Sequence, residues 1–281
     1  MKTLIIQENG RHDKNRNFRE CFCMQRSLVK LGYDCDVWGL GHENYKQQLN
    51  FDFYDLIINL ENYDQTNWVP DLSQVKCKKM LWAIDSHCRG HQVYANEFNK
   101  GDYDIILQAT LDLVDSNSVW FPNCYDDSLI KKTETQKQYD VGFCGNIINR
   151  GAWLNLLEST NFSFKKDIFV IGDDMVQAIN SYRVHFNANM SQDINYRNFE
   201  TIGCATALLT NYNHQYESLG FKDGENCFLY RNSQDLLNKL NLLISDSQLR
   251  QKIENNGHEL AKNKHTYDCR AKQLIDIFKK L

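Results

Sequence analysis

Eleven short apolar runs, separated by longer polar or helix-like stretches, constrain this chain more than any other feature. They fall into two sets. TLII (3–6), CDVWGL (35–40), DLIINL (55–60), KKMLWAI (78–84), YDIILQA (103–109) and SVWF (118–121) make the first. YDVGFCG (139–145), KDIFVIG (166–172), VHFNAN (184–189), ALLT (207–210) and CFLY (227–230) make the second. Near-continuous apolar runs of this length, spaced by helices, suit parallel strands buried on both faces. Helical patterns fill gaps at 18–31, 152–157, 174–180, 197–202, 234–244, 247–260 and 271–278, with Ser233 and Ser245 near their starts as cap positions. The polar passage DDSLIKKTETQKQ (126–138) lacks apolar periodicity and separates the sets. The fold class is α/β: two Rossmann-like domains, with boundaries at 1–135 and 136–265, and a terminal helix within 266–281 that packs back on the first domain. Two such halves facing each other make a cleft lined by strand-end loops.

Composition narrows the function classes. The chain has 281 residues and a formal net charge of −4, so the strong basic excess of a nucleic-acid binder is absent. MKTLIIQENG turns polar after one brief apolar run, which reads as neither leader nor membrane span. Ten cysteines at scattered spacings fit buried thiols in a reducing compartment, and the expected location is the cytoplasm.

Two stretches of the second half carry candidate chemistry. In VGFCGNIINRG, Gly142 and Gly145 flank a strand end, where the backbone can approach an anion closely and a helix soon after offers its N–H groups. Arg150 adds a bidentate charge. The plain alternative is a Gly-containing turn with a solvated Arg150. In DINYRNFETIGCATALLT (193–210), Arg197 and Glu200 share a helix face. They make either a surface ion pair or a divided site, with the guanidinium on an anion and the carboxylate on a diol. His185, Asn187 and Asn189 alternate along VHFNAN and can point toward the same loops.

The ordered motifs resemble a known family. YDVGFCGN with Arg150, VHFNAN, R-x-F-E followed by Gly203 and Cys204, G-E-N at 224–226 and H-T-Y-x-x-R at 265–270 resemble the nucleotide-sugar-binding half of GT-B glycosyltransferases. The likeness is greatest to the spore-maturation CgeB-like group, with a family 4-like C-terminal domain. LWAIDSH (81–87) and VWFPN (119–123) extend it more loosely into the first half. The resemblance implies a glycosyltransferase that moves a sugar from a nucleotide-diphospho-sugar, a UDP-sugar by family habit, to a hydroxyl. The acceptor is a glycan, a protein, a small molecule or modified DNA. It implies donor contacts from Gly145, Asn146, Arg150, Asn187, Arg197, Asn198 and Glu200, with neither metal nor cofactor. Asp193, seven residues before Glu200, occupies the place of an acidic residue in retaining relatives, and this tilts the outcome toward retention; its other reading is a helix cap. For the acceptor side, His12 in the 8–20 loop and Asp85 and His87 in DSHCRG (85–90) are the candidate catalytic groups. Two alternatives stay open: a non-catalytic nucleotide-sugar-binding module, and a transferase acting on hydroxymethylated DNA bases through a basic rim at 11–19, 26–33 and 76–79.

Overall fold

The structure is a computed structural model that describes residues 1–62 and 66–281. The chain divides into two compact units, Met1–Pro122 with Tyr267–Leu281, and Asn123–Thr266.

The first unit runs β1 (Lys2–Ile6), α1 (Glu20–Lys30), β2 (Asp34–Trp38), β3 (Leu56–Leu60), β4 (Lys78–Ala83), α2 (Ser86–Arg89), α3 (His91–Gly101), β5 (Ile105–Gln108) and β6 (Ser118–Trp120). Its six strands are all parallel, in the order β2-β1-β3-β4-β5-β6. Every residue of β3 is buried, as a central strand covered on both faces requires. One face packs Leu4, Ile6, Ile57, Leu81 and Ile106 against Trp38, Trp68 and Tyr94. The C-terminal helix Tyr267–Phe278 belongs to this unit, where Lys30 pairs with Asp268 at 2.5 Å and Arg270 Nε donates to the Pro122 carbonyl at 2.7 Å.

The second unit runs β7 (Tyr139–Gly145), α4 (Gly151–Glu158), β8 (Phe164–Ile168), α5 (Asp173–Ser181), β9 (Tyr182–Phe186), α6 (Tyr196–Gly203), β10 (Ala207–Asn211), α7 (Gln215–Leu219), β11 (Phe228–Tyr230), α8 (Ser233–Ser245) and α9 (Ser247–Lys264). Its five strands are parallel, in the order β11-β10-β9-β7-β8. In each unit the first strand lies between the second and the third. Chain order therefore reverses beside that strand, and the crevice at its C-terminal end is where open α/β sheets take ligands. In the second unit that crevice lies between the ends of β7 and β9.

Four local differences from the sequence expectations have plain causes. The polar passage 126–138 is tied into the second unit, so the first unit ends at Pro122 instead of near 135. Ile130 is buried, Thr133 N–H donates to Asn180 Oδ1 at 2.9 Å, and Lys137 Nζ reaches Thr206 Oγ1 at 3.0 Å. Strand β8 covers FKKDI and stops at Ile168, because Phe169 turns into the left-handed region with φ 57°. Helix α3, whose exposed face sets Val93 among Gln92, Asn96, Asn99 and Lys100, follows Gly90 at φ 91° and has no side-chain cap to announce it. The caps of α8 and α9 are Asn232 and Asp246, whose side chains accept from Asp235 N–H and Leu249 N–H, each at 2.9 Å.

Candidate functional site

The loop after β7 is built around Gly145. Two glycines in this strand behave differently. A Cβ on Gly142 would lie 2.2 Å from the Tyr182 ring, so internal packing accounts for that glycine. A Cβ on Gly145 would meet only the Phe143 ring edge, at 3.4 Å, an ordinary contact. Nothing inside the unit requires glycine at 145. Its bare backbone leaves room for a group from outside. Asn146 closes the turn by accepting from Ile148 N–H at 2.9 Å, and Asn149 takes a left-handed φ of 58°.

Two arginines flank this turn. Arg150 donates from Nε to the Ala188 carbonyl at 2.8 Å and from Nη1 to the Asn146 carbonyl at 2.9 Å. It thereby ties the β7 loop to the β9 loop, and its Nη2 has no acceptor among the described residues. Arg197, on α6, donates from Nε to the Cys144 carbonyl at 3.0 Å and from Nη1 to the Glu200 carboxylate. Burial works against the charge on Arg197, but Glu200 more than offsets it and the guanidinium pKa is raised. Burial lowers that of Arg150, opposed by Tyr230 and Asp193, while the like charge of Arg197 adds to the lowering. Two guanidiniums thus hang from carbonyls on either side of Gly145. Arg197 and Glu200 are joined in one ion pair, the first of the two arrangements that the sequence left open. Glu200 nevertheless keeps its Oε1 without a partner among the described residues.

Beneath the arginines the polar groups are used internally. His185 is fully buried: Nε2 accepts from Cys144 N–H at 3.2 Å and Nδ1 meets Thr201 Oγ1 at 2.5 Å. Burial first, then Arg197 and Lys137, push its pKa down to about 3. The expectation that His185 faces a cleft is therefore corrected. Asn187 and Asn198, expected to contact a donor, are 3% and 0% exposed. They sit in a network in which Asn187 Nδ2 donates to Asn198 Oδ1 at 3.1 Å and Asn198 Nδ2 donates to Asn189 Oδ1 at 2.7 Å. Tyr216 Oη accepts from Asn189 Nδ2 at 2.7 Å and donates to Asn198 Oδ1 at 2.8 Å. Sequence reasoning missed Tyr216, Thr210 and Asn195, the other members. This network fixes the 187–195 loop, so Asn187 and Asn198 shape the site without a surface to touch a ligand. Asp193 lies buried in that loop, and the N-cap of α6 is Asn195, not Asp193.

In the first unit, Asp85 and His87 occupy the turn after β4. Sequence reasoning missed the group that organises them, Glu61. Its Oε2 accepts from the N–H groups of Ile84 and Asp85, both at 2.7 Å, and from the Tyr94 hydroxyl. Burial raises the Asp85 pKa, and burial lowers that of His87 against the pull of Glu61. The imidazole is thus a neutral base at pH 7. Donor atoms of Asp85, His87 and Cys88 lie within 4.8 Å of one another, a grouping with the makings of a metal site. His12 is exposed at the head of a 3-10 turn, Asp13–Phe18, and its side chain makes no hydrogen bond among the described residues. Asp102 and Asp104 are not such a group: Asp104 accepts from Lys79 N–H at 2.7 Å and Lys78 Nζ at 3.0 Å, while Asp102 caps α3. No helix of the described residues is long and apolar enough to cross a membrane.

Residues 128–276 match the family model described as glycosyl transferase-like. No curated protein matches the sequence. Solved structures resemble the whole chain in fold. The Anabaena protein HepE, solved in complex with UDP, superposes with a TM-score of 0.68 at 11% identity, with 100% of both chains covered. Sucrose-phosphate synthase from Thermosynechococcus elongatus gives 0.71 at 9% identity, covering 100% of this chain and 99% of that one. A DNA-modifying β-glucosyltransferase, studied with and without uridine diphosphoglucose, gives 0.68 at 14% identity over 100% of both chains. At these identities the likeness is one of fold.

Proposed function

The chain belongs to the glycosyl transferase-like family, and from that premise we propose that it moves a sugar from a UDP-sugar to a hydroxyl acceptor, with the donor held at the ends of β7 and β9. The observation that carries this reading is the pair of guanidiniums, Arg150 and Arg197, anchored to the carbonyls of Asn146 and Cys144 around the open backbone of Gly145. A nucleoside diphosphate needs positive charge on its bridging phosphates as the bond to the sugar breaks. Arg150 Nη2 and the outer nitrogens of Arg197 supply it with no metal ion, and Gly145 and Asn146 let the phosphates come close. Glu200 keeps Arg197 oriented and offers its Oε1 to the ribose hydroxyls. Asp193 lines the same loop, and its spacing from Glu200 supports retention of configuration.

The second-half motifs support placement in the CgeB-like group. The first unit is read as the acceptor side, with His87 taking or sharing the acceptor proton and Asp85 beside it. His12 belongs to this reading only through its place on the loop after β1. The acceptor is a glycan, a protein, a small molecule or modified DNA, and the cytoplasm is the proposed location. Isothermal titration with UDP and UDP-glucose tests the donor assignment. Binding by the wild type that falls at least tenfold in both Arg150→Ala and Arg197→Ala supports it; binding that survives both substitutions overturns it. Donor binding without transfer or hydrolysis for any acceptor would favour a non-catalytic binding module.

A further inference from the structure

A second concavity lies wholly within the first unit. It has a volume of about 600 Å³ and runs between α3 and the 66–72 segment. That is the size range of small-molecule sites. Its walls mix chemistries. Val69, Pro70, Leu72 and Val93 are apolar, while Asn62, Thr66, Asn67 and Asn96 are polar. The Asn62 amide is already bonded to Glu8 N–H and the Leu60 carbonyl, so Asn67 and Asn96 are the amides that offer groups to donate and accept. Such a lining suits a ligand with apolar C–H faces and several hydroxyls.

The charges in this pocket are unevenly answered. Glu61 is occupied by two backbone N–H groups and the Tyr94 hydroxyl. Arg89 is occupied by the Asn62 carbonyl at 2.8 Å and lies 3.8 Å from Glu61. Glu97 differs. Its Oε1 accepts from Asn59 Nδ2 at 2.8 Å, and that amide is buried beneath it and also lies 2.7 Å from the Tyr103 hydroxyl. Its Oε2 has no partner among the described residues. Lys100, one turn along α3, is exposed and forms no ion pair with it. Burial first, and the neighbouring carboxylate of Glu61 as well, push the Glu97 pKa up against Asn59, Lys100 and Arg89. A half-buried carboxylate held in place, with one oxygen unpartnered among the described residues and no cation within ion-pair distance although Arg89 and Lys100 line the same pocket, is the half of an ion pair that a ligand completes.

We infer that this pocket binds a hydroxylated small molecule carrying an ammonium group, of the amino-sugar class, with the ammonium on Glu97. The site lies outside the donor loops and stands whether or not the donor assignment does.

The test compares glucosamine with glucose by isothermal titration into the full chain at pH 7. The two probes differ only at the amine. The wild type is expected to bind glucosamine at least tenfold more tightly than glucose. Glu97→Gln keeps an oxygen for Asn59 and removes the charge, so that preference should fall to about one. Val93→Trp, at an exposed wall position, should fill the pocket and abolish binding of both sugars. UDP binding, measured in the same preparations, should be unchanged in both variants and reports that each is folded. The inference is overturned if glucosamine does not bind, if Glu97→Gln leaves the preference intact, or if Val93→Trp binds glucosamine as the wild type does. Failure of the wild type itself to bind UDP would count against the donor assignment and not against this pocket, and far-UV circular dichroism would then report that each variant is folded.

Discussion

His185 Nδ1 and Thr201 Oγ1 are joined at 2.5 Å, and their neighbours fix the direction of the bond. Nε2 accepts from Cys144 N–H, so the ring proton sits on Nδ1 and is donated to Thr201. The threonine hydroxyl in turn donates to the Arg197 carbonyl, at 2.5 Å. A neutral histidine therefore links the end of β7 to the first turn of α6, the two elements that carry Gly145 and Arg197.

That arrangement makes stability depend on pH. The native state keeps His185 neutral down to about pH 3, whereas an unfolded histidine protonates near 6.5. The unfolded chain thus binds the extra proton as pH falls below 6.5, and native stability is lost across the window from 6.5 toward 3. Between pH 6.5 and pH 5 the loss from this one group is about 2 kcal/mol. Urea unfolding at pH 7.5 and pH 5 measures it. His185→Asn should be less stable at pH 7.5 and should show a smaller difference between the two conditions. An equal pH dependence in wild type and variant would refute the assignment.

The two glycines of β7 separate folding from ligand approach. Gly142→Ala drives a methyl group into the Tyr182 ring and should destabilise by about 1–3 kcal/mol, with the unfolding midpoint as the readout. Gly145→Ala meets only an ordinary contact and should leave stability within about 1 kcal/mol of the wild type. Its effect should appear in UDP affinity, with a loss of tenfold or more. Unchanged UDP affinity in Gly145→Ala would mean that the phosphates lie elsewhere.

Tyr216→Phe tests the buried network. The hydroxyl joins Asn189, Asn198 and Thr210, and its removal leaves their polar atoms short of partners. A loss of about 1–3 kcal/mol is expected in denaturant unfolding. UDP affinity should fall as well, because the loop that carries Ala188, the anchor of Arg150, depends on the same network.

The central strands can be located from apolar runs, because a strand buried on both faces leaves few other readings for residues such as LIINL. Edge strand β8 shows the limit. DIFVIG is the more apolar run, yet the ladder uses FKKDI, and Phe169 is left 73% exposed. Apolar content located the segment, but a single left-handed residue set where it ends. The arginine and carboxylate of R-N-F-E were legible as residues, and so was their shared helix face. Their mutual pairing and the fate of VHFNAN were not, because burial depends on what the 187–195 loop folds over. Glu61 was invisible for a related reason: its partners come from Ile84, Asp85 and Tyr94, which only the sheet brings to it.

The turn after β4 yields the last prediction. Burial keeps His87 neutral at pH 7, so the imidazole can accept a proton, and Glu61 holds the backbone of Asp85 that starts the turn. If His87 is the acceptor-side base, His87→Gln should lower kcat for sugar transfer by about 10²–10⁴-fold, while UDP affinity is unchanged. The pH profile decides between chemistry and mere support. Wild-type kcat should fall as pH drops through a value below 6.5, the ordinary histidine pKa from which burial shifts this group downward, and that acid limb should vanish in His87→Gln. A variant that loses activity but keeps the acid limb would assign the base to another group. Glu61→Gln provides the structural control: it weakens the anchor of the turn, so it should lower kcat and raise acceptor KM together without removing the limb.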